Sequence, residues 1–224
     1  MVAHSQAGQS RRTILKWHLA AMAAAAAFGV DVAGLKLPQA FAQGAVDLGS
    51  GDLGVLNYAY ALEQLEAAFY TQVIASPYAG MDRYEASLLR DIKAHEVAHR
   101  EFFKKALGAK RIPDLTPNFS AVNFGDRQSV LKTAMTFEDL GVAAYNGGGA
   151  AIQSPKYLAA AGSIVSVEAR HAATIRELLH PQSAAFAGDD VVDGSGLDGA
   201  LPPSKVLRAA GPFIATPVTA TQLP

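Results

Sequence analysis

The chain has 224 residues, half of them hydrophobic and 17% charged, with a formal net charge of -1. That is enough apolar material for one well-buried domain of ordinary size, and a near-neutral balance without long basic runs argues against nucleic acid or an anionic membrane surface as a partner. Cysteine is absent, so disulfides, thiolate metal sites and a cysteine nucleophile are excluded, and any metal must be held by histidine and carboxylate.

At the N-terminus, Ser10-Arg11-Arg12-Thr13-Ile14-Leu15-Lys16 resembles a twin-arginine export signal. An alanine-rich apolar run from Leu19 to Val30 follows, and Ala40-Phe41-Ala42 before Gln43 fits a small-x-small cleavage site. The apolar run falls short of the ~20 residues that a spanning helix needs. Residues 1–42 are therefore expected to be a signal peptide cleaved near Ala42, leaving no stable membrane span. The twin-arginine translocase would be the export partner, and the periplasm or cell exterior the destination. That route carries folded cargo, which suits a protein that takes up metal before leaving the cytoplasm.

The mature chain reads as four helices and a tail. Asp52 is placed to cap a first helix, in which Val55, Leu56, Ala59, Leu62, Phe69 and Val73 recur every three or four residues until Ser76-Pro77. Asp82, with Glu85 three residues on, forms an acidic version of a capping box for the second, which carries Leu88, Leu89, Ile92, Phe102, Phe103 and Leu107 up to Gly108. Residues 109–125 hold Pro113 and Pro117 and no regular period, so they read as a loop long enough to cross the bundle. Asp126 opens the third helix, which Gly147-Gly148-Gly149 weakens, and Ser154-Pro155 opens the fourth, which Pro181 closes. The expected fold is an all-α four-helix bundle over 43–180 with a long crossover between helices 2 and 3. A Pro/Gly-rich C-terminal arm, 181–224, is expected to pack on it, with one short amphipathic stretch from Ser204 to Ala210.

Each apolar stripe is interrupted by charge at a position that should face inward. The second helix places Glu96 and His99 there, and the fourth places Glu168 and His171. Residues three apart share a helix face, so each pair can present a carboxylate and an imidazole to one point. The first and third helices add Glu63 and Glu138. Four inward carboxylates demand a compensating positive charge, which two divalent cations supply.

An internal repeat supports this reading. Glu63-Gln-Leu-Glu-Ala-Ala-Phe-Tyr70 aligns with Glu138-Asp-Leu-Gly-Val-Ala-Ala-Tyr145, and each is followed about 30 residues later by Glu-x-x-His. The halves read as a duplicated helical hairpin. Glu138 comes level with Glu168 only if the third helix continues irregularly past Gly147. Glu66 also lies near the inward stripe, but its counterpart is Gly141, so the duplication assigns the ligand to Glu63.

The segments LNYAYALEQLEAAFY, HEVAHREFF, FEDLGVAAYNGG and SIVSVEARHAATIREL resemble the exported ferritin-like proteins related to the plant desiccation-related proteins, over Leu53 to Leu179. The resemblance implies a ferritin-like bundle binding two metal ions, Fe or Mn, through Glu63, Glu96, His99, Glu138, Glu168 and His171. Tyr70 and Tyr145 would sit beside them as hydrogen-bonding or redox neighbours, although ordinary packing with a tethered hydroxyl explains both equally well. Fe(II) oxidation, peroxidase or catalase-type chemistry on dioxygen or peroxide is implied, in oxidative or desiccation stress protection. Related di-iron proteins often carry Asp just before the Glu of each Glu-x-x-His. Here His95 and Val167 stand there, so no outer partner is assigned to His99 or His171.

Two other readings stand beside this one. His95-Glu96-x-x-His99 matches the motif of zinc peptidases, in which two histidines a turn apart bind zinc, but that leaves Glu63, Glu138 and the second motif unexplained. A metal-free structural or protective bundle is the other. Arg170 and Arg176 read as solvated helix faces, and homo-oligomerisation is left open.

Overall fold

The computed structural model describes residues 44–224; the expected export signal, 1–42, lies outside the described residues. Four long helices form the bundle: α1 (Gly51–Ala75), α2 (Arg83–Leu107), α3 (Arg127–Gly149) and α4 (Pro155–Leu179). The Asp82 carboxylate accepts from the Glu85 backbone N–H at 2.8 Å to start α2, and Asp126 accepts from the Ser129 N–H at 2.7 Å to start α3. Each satisfies one of the orphan donors of a helix N-terminus. Gly108 ends α2 at a positive φ of 55°, which a Cβ would disfavour.

Two readings of the helix ends need correction. Asp52 makes no cap for its own helix; its carboxylate accepts the N–H groups of Gln153 and Ser154 at 2.7 and 2.9 Å and so holds the start of α4. Glu85 does not close a capping box, because its carboxylate accepts from the Tyr78 hydroxyl at 2.8 Å and from Arg127.

α1 pairs with α2 and α3 with α4 as two hairpins. Across the hairpins, Glu63 and Tyr70 of α1 meet Tyr145 and Glu138 of α3 in reversed order, so these helices are antiparallel. α2 and α3 therefore point the same way, and the chain between them must traverse the bundle. The crossover expected over residues 109–125 is present, and buried polar groups of α1 hold it: Asn57 accepts from the Ile112 N–H at 2.9 Å and Gln64 from the Leu115 N–H at 2.7 Å. Covered by the crossover as well as by its neighbours, α1 is buried at every residue from Gly54 to Ala67. At one end of the bundle Phe69 meets Phe137 edge-on at 5.1 Å, and Phe137 meets Phe213 of the tail at 4.8 Å. Such pairs add about 0.5–1.5 kcal/mol each beyond their burial.

α3 does not weaken at its glycines; it runs regularly through Gly149. The tail explains why glycine is needed. A Cβ on Gly147 would lie 1.9 Å from the Leu201 carbonyl oxygen, so only glycine lets the arm cross the helix there. The Leu201 N–H donates to the Ala143 carbonyl at 2.9 Å, fixing the crossing. Further on, α5 (Pro203–Ala210) buries Val206 and Ala210, and β2 (Val218–Thr219) pairs in parallel with β1 (Val46–Asp47), Val46 opposite Val218.

Arg176 is not a solvated residue. It is 4% exposed and donates to both Asp139 oxygens on α3 at 2.9 and 2.7 Å, and to Asp190 of the arm at 3.1 and 2.8 Å. This bidentate geometry suits the guanidinium fork and explains how the side chain is buried without an unmet charge.

Candidate metal centre

The stripes expected to face inward do so. Glu63, Glu96, Glu138 and Glu168 are fully buried and His171 is 4% exposed. The Glu-x-x-His spacing sets carboxylate and ring on one face of α2 and of α4, and because those helices run antiparallel each histidine reaches the other helix's glutamate. His99 Nδ1 lies 3.0 Å from Glu168 Oε1, and His171 Nδ1 lies 2.8 Å from Glu96 Oε1. Glu63 approaches His99 at 3.5 Å, and Glu138 approaches His171 at 3.4 Å.

The ligand atoms fall into two groups of metal-binding dimensions. Glu63, Glu96, His99 and Glu168 form one, and Glu96, Glu138, Glu168 and His171 the other, each offering atoms within 4.8 Å of one another. Glu96 and Glu168 belong to both. The hydrogen bonding is arranged to match. Tyr145 donates its hydroxyl to Glu63 Oε1, and Tyr70 donates to Glu138 Oε1 at 2.5 Å. What remains buried with no partner outside the cluster is Glu63 Oε2, Glu138 Oε2, both oxygens of Glu96 and of Glu168, and the Nδ1 atoms of His99 and His171, which meet only one another. Leaving a buried polar group unsatisfied costs about 1–3 kcal/mol, and more when it is charged. Eight such carboxylate and imidazole atoms converging on one region could hold metal ions.

Electrostatics show the same demand. Burial raises the pKa of Glu63 to about 7 and those of Glu138 and Glu168 to about 8. Burial pushes Glu96 the same way, but His171 and His99 on either side outweigh it and hold its carboxyl down at about 2. Burial alone would lower the histidines; the carboxylates around them win, holding His99 at about 12 and His171 at about 10. Without a cation, protons must balance the cluster. Burial, reinforced by Glu138 and Glu63 respectively, keeps Tyr70 and Tyr145 protonated and hence donors.

His95 belongs to neither ligand group. Its Nδ1 lies 2.9 Å from His171 Nε2, the ring nitrogen turned away from the carboxylates. His95 is thus the outer partner that sequence reading could not assign to His171, and it does not converge with His99 as a zinc-peptidase histidine would. Val167, at the matching place on α4, offers no polar group to His99. Glu66 also stands outside both groups. A Cβ on Gly141 would lie 3.2 Å from Glu66 Oε1 and 3.3 Å from Glu168 Oε2, so the glycine makes room for the extra carboxylate. Burial, then the charge of Glu168, raises the Glu66 pKa well above the ordinary range.

No curated protein matches the chain. The ferritin-like domain family matches residues 51–181, which is more than half of the sequence and spans all four bundle helices with every residue of the two ligand groups. On that match, and on the antiparallel hairpin pair with its crossover, the chain belongs to the ferritin-like domain family.

Proposed function

We propose that the chain is an exported di-metal carboxylate protein with redox activity toward Fe(II), dioxygen or peroxide, serving protection in oxidative or desiccation stress. The observation that carries this reading is the convergence of four fully buried glutamates and two histidines in two groups sharing Glu96 and Glu168. Glu96 and Glu168 would span two Fe or Mn ions, with Glu63 and His99 completing one side and Glu138 and His171 the other. Four carboxylates balance two divalent cations in charge. When bound, such a pair supplies the electrons for dioxygen or peroxide chemistry.

The protein's own residues do the positioning. Tyr145 and Tyr70 each hold one oxygen of Glu63 and Glu138, leaving the second oxygen free to ligate. His95 sets the ring angle and tautomer of His171 from outside. A metal-free structural bundle has no use for four carboxylates buried around two histidines, and the position of His95 disfavours a zinc peptidase. Export rests on the twin-arginine segment and small-residue site at residues 10–42. Metal analysis of protein recovered from its native compartment, followed by oxygen and peroxide turnover, tests the reading. Two Fe or Mn ions per chain with turnover supports it; a metal-free protein from that compartment overturns it.

A further inference from the structure

At the end of the bundle where α1 and α4 begin and α2 and α3 end, all four helices line an apolar cavity with about 20 Å³ of free space. Leu62, Phe103, Tyr145 and Ala161 form its buried walls, and Phe102 and Tyr157 its more exposed rim. That is room for a small molecule such as a diatomic. Water is a poor occupant because it needs two to four polar partners. The Tyr145 hydroxyl is already committed to Glu63; Tyr58 adds one buried hydroxyl without a partner, fewer than a water needs, and the remaining walls are almost wholly hydrocarbon and aromatic.

Location gives the cavity its meaning. Leu62 immediately precedes Glu63, and the Tyr145 ring that walls the cavity carries the hydroxyl bonded to that carboxylate. The Tyr145 side chain therefore stands between this apolar space, rimmed on the outside by the exposed Phe102, and the first ligand group. We propose that this cavity binds a small apolar diatomic, dioxygen by its chemistry, and delivers it past Tyr145 to the side of the centre formed by Glu63 and His99. The destination rests on the di-metal reading, whereas the binding of an apolar diatomic in the cavity does not. Peroxide, which is polar and hydrogen-bonding, gains nothing from such walls, so its rate does not depend on the cavity.

Xenon is the probe for the first part, because it is apolar, of suitable size and indifferent to metal. Crystals of the full chain held under xenon pressure should show one atom between Leu62, Tyr145 and Ala161. Ala161→Val, or Ala59→Val on the opposite wall should the first fail to fold, should abolish that xenon. No xenon in the unsubstituted protein overturns the proposal, as does finding the cavity filled by an alkyl chain or by a side chain of a second copy. For the second part, nitric oxide binding to the Fe(II)-loaded protein should slow by about tenfold or more in the filled variant, with metal content and the hydrogen peroxide rate unchanged. Equal slowing of both reactants, or of neither, overturns the route. If the chain takes up no iron at all, the di-metal reading fails, and with it the delivery step, while the xenon result still decides the cavity.

Discussion

The ring of His95 on α2 meets that of His171 on α4 nearly coplanar in orientation, 7° between planes, with Nδ1 2.9 Å from Nε2. If His171 ligates through Nδ1, its proton must sit on Nε2 and be donated to His95. His95→Ala should therefore weaken metal binding on the Glu138 and His171 side by about 10–100-fold, the usual cost of losing an outer-shell partner. His95→Asp, which restores an acceptor, should recover part of the loss. Calorimetric titration resolving the two metals checks this; equal weakening of both metals would count against a role confined to His171.

Glu63 and Glu66 are three apart on α1, yet only Glu63 belongs to a ligand group. Glu63→Gln should lower metal affinity by more than the roughly 10–100-fold expected for an outer-shell loss. Glu66→Gln should lower it less, and should stabilise the metal-free fold by removing a buried carboxyl. Metal titration and thermal unfolding of both variants are the check. The reverse order of affinities would mean that the register of α1 is misassigned.

Much of the centre could be read before the fold because duplication repeats it: Glu63 with Tyr70 recurs as Glu138 with Tyr145, and Glu-x-x-His recurs after each. What escaped sequence reading depends on contacts with no period. Arg176 looks like any helix-surface arginine until Asp139 and Asp190 close on it from α3 and from the arm. Gly147 reads as a helix breaker because the strand of chain that demands it, at Leu201, lies far along the sequence. Asp52 reads as a cap for α1, and it does bind orphan N–H groups, but those at the start of α4, which only packing brings near.

Stability and pH are coupled through the same cluster. Folding raises the pKa values of Glu63, Glu138 and Glu168 above the ordinary 4.5, so their contribution to metal-free stability is complete below that value and is lost as pH rises through about 7 to 8. His99 and His171 act in the same sense, full below 6.5 and lost as pH climbs through about 10 and 12. Glu96, depressed, opposes this only below 4.5. Metal held by the six residues of the two groups would require them deprotonated, so binding should strengthen with pH. The gap in Tm between loaded and metal-free protein should widen from about pH 5 to about pH 8, and loading should release protons. Calorimetry across that range, in buffers of differing ionisation enthalpy, measures both; a constant gap with no proton release would contradict the assignment.

Export is tested in cells. Replacing Arg11 and Arg12 together with lysine should strand the precursor in the cytoplasm, and the mature protein should begin near Gln43 when sequenced from its N-terminus. Normal delivery of the lysine variant would rule out the twin-arginine route.

The most direct test of the central claim is anomalous diffraction from crystals of the protein grown with Fe(II) or Mn(II), read beside the same experiment on the His99→Ala, His171→Ala double variant. Two anomalous peaks are expected, both touching Glu96 and Glu168, one also bound by Glu63 and His99 and the other by Glu138 and His171, at ligand distances of about 2.0–2.2 Å. The double variant should lose most of that metal while its circular dichroism keeps the helical signal. A single ion held by His95 and His99, or full metal content in the double variant, would contradict the di-metal centre.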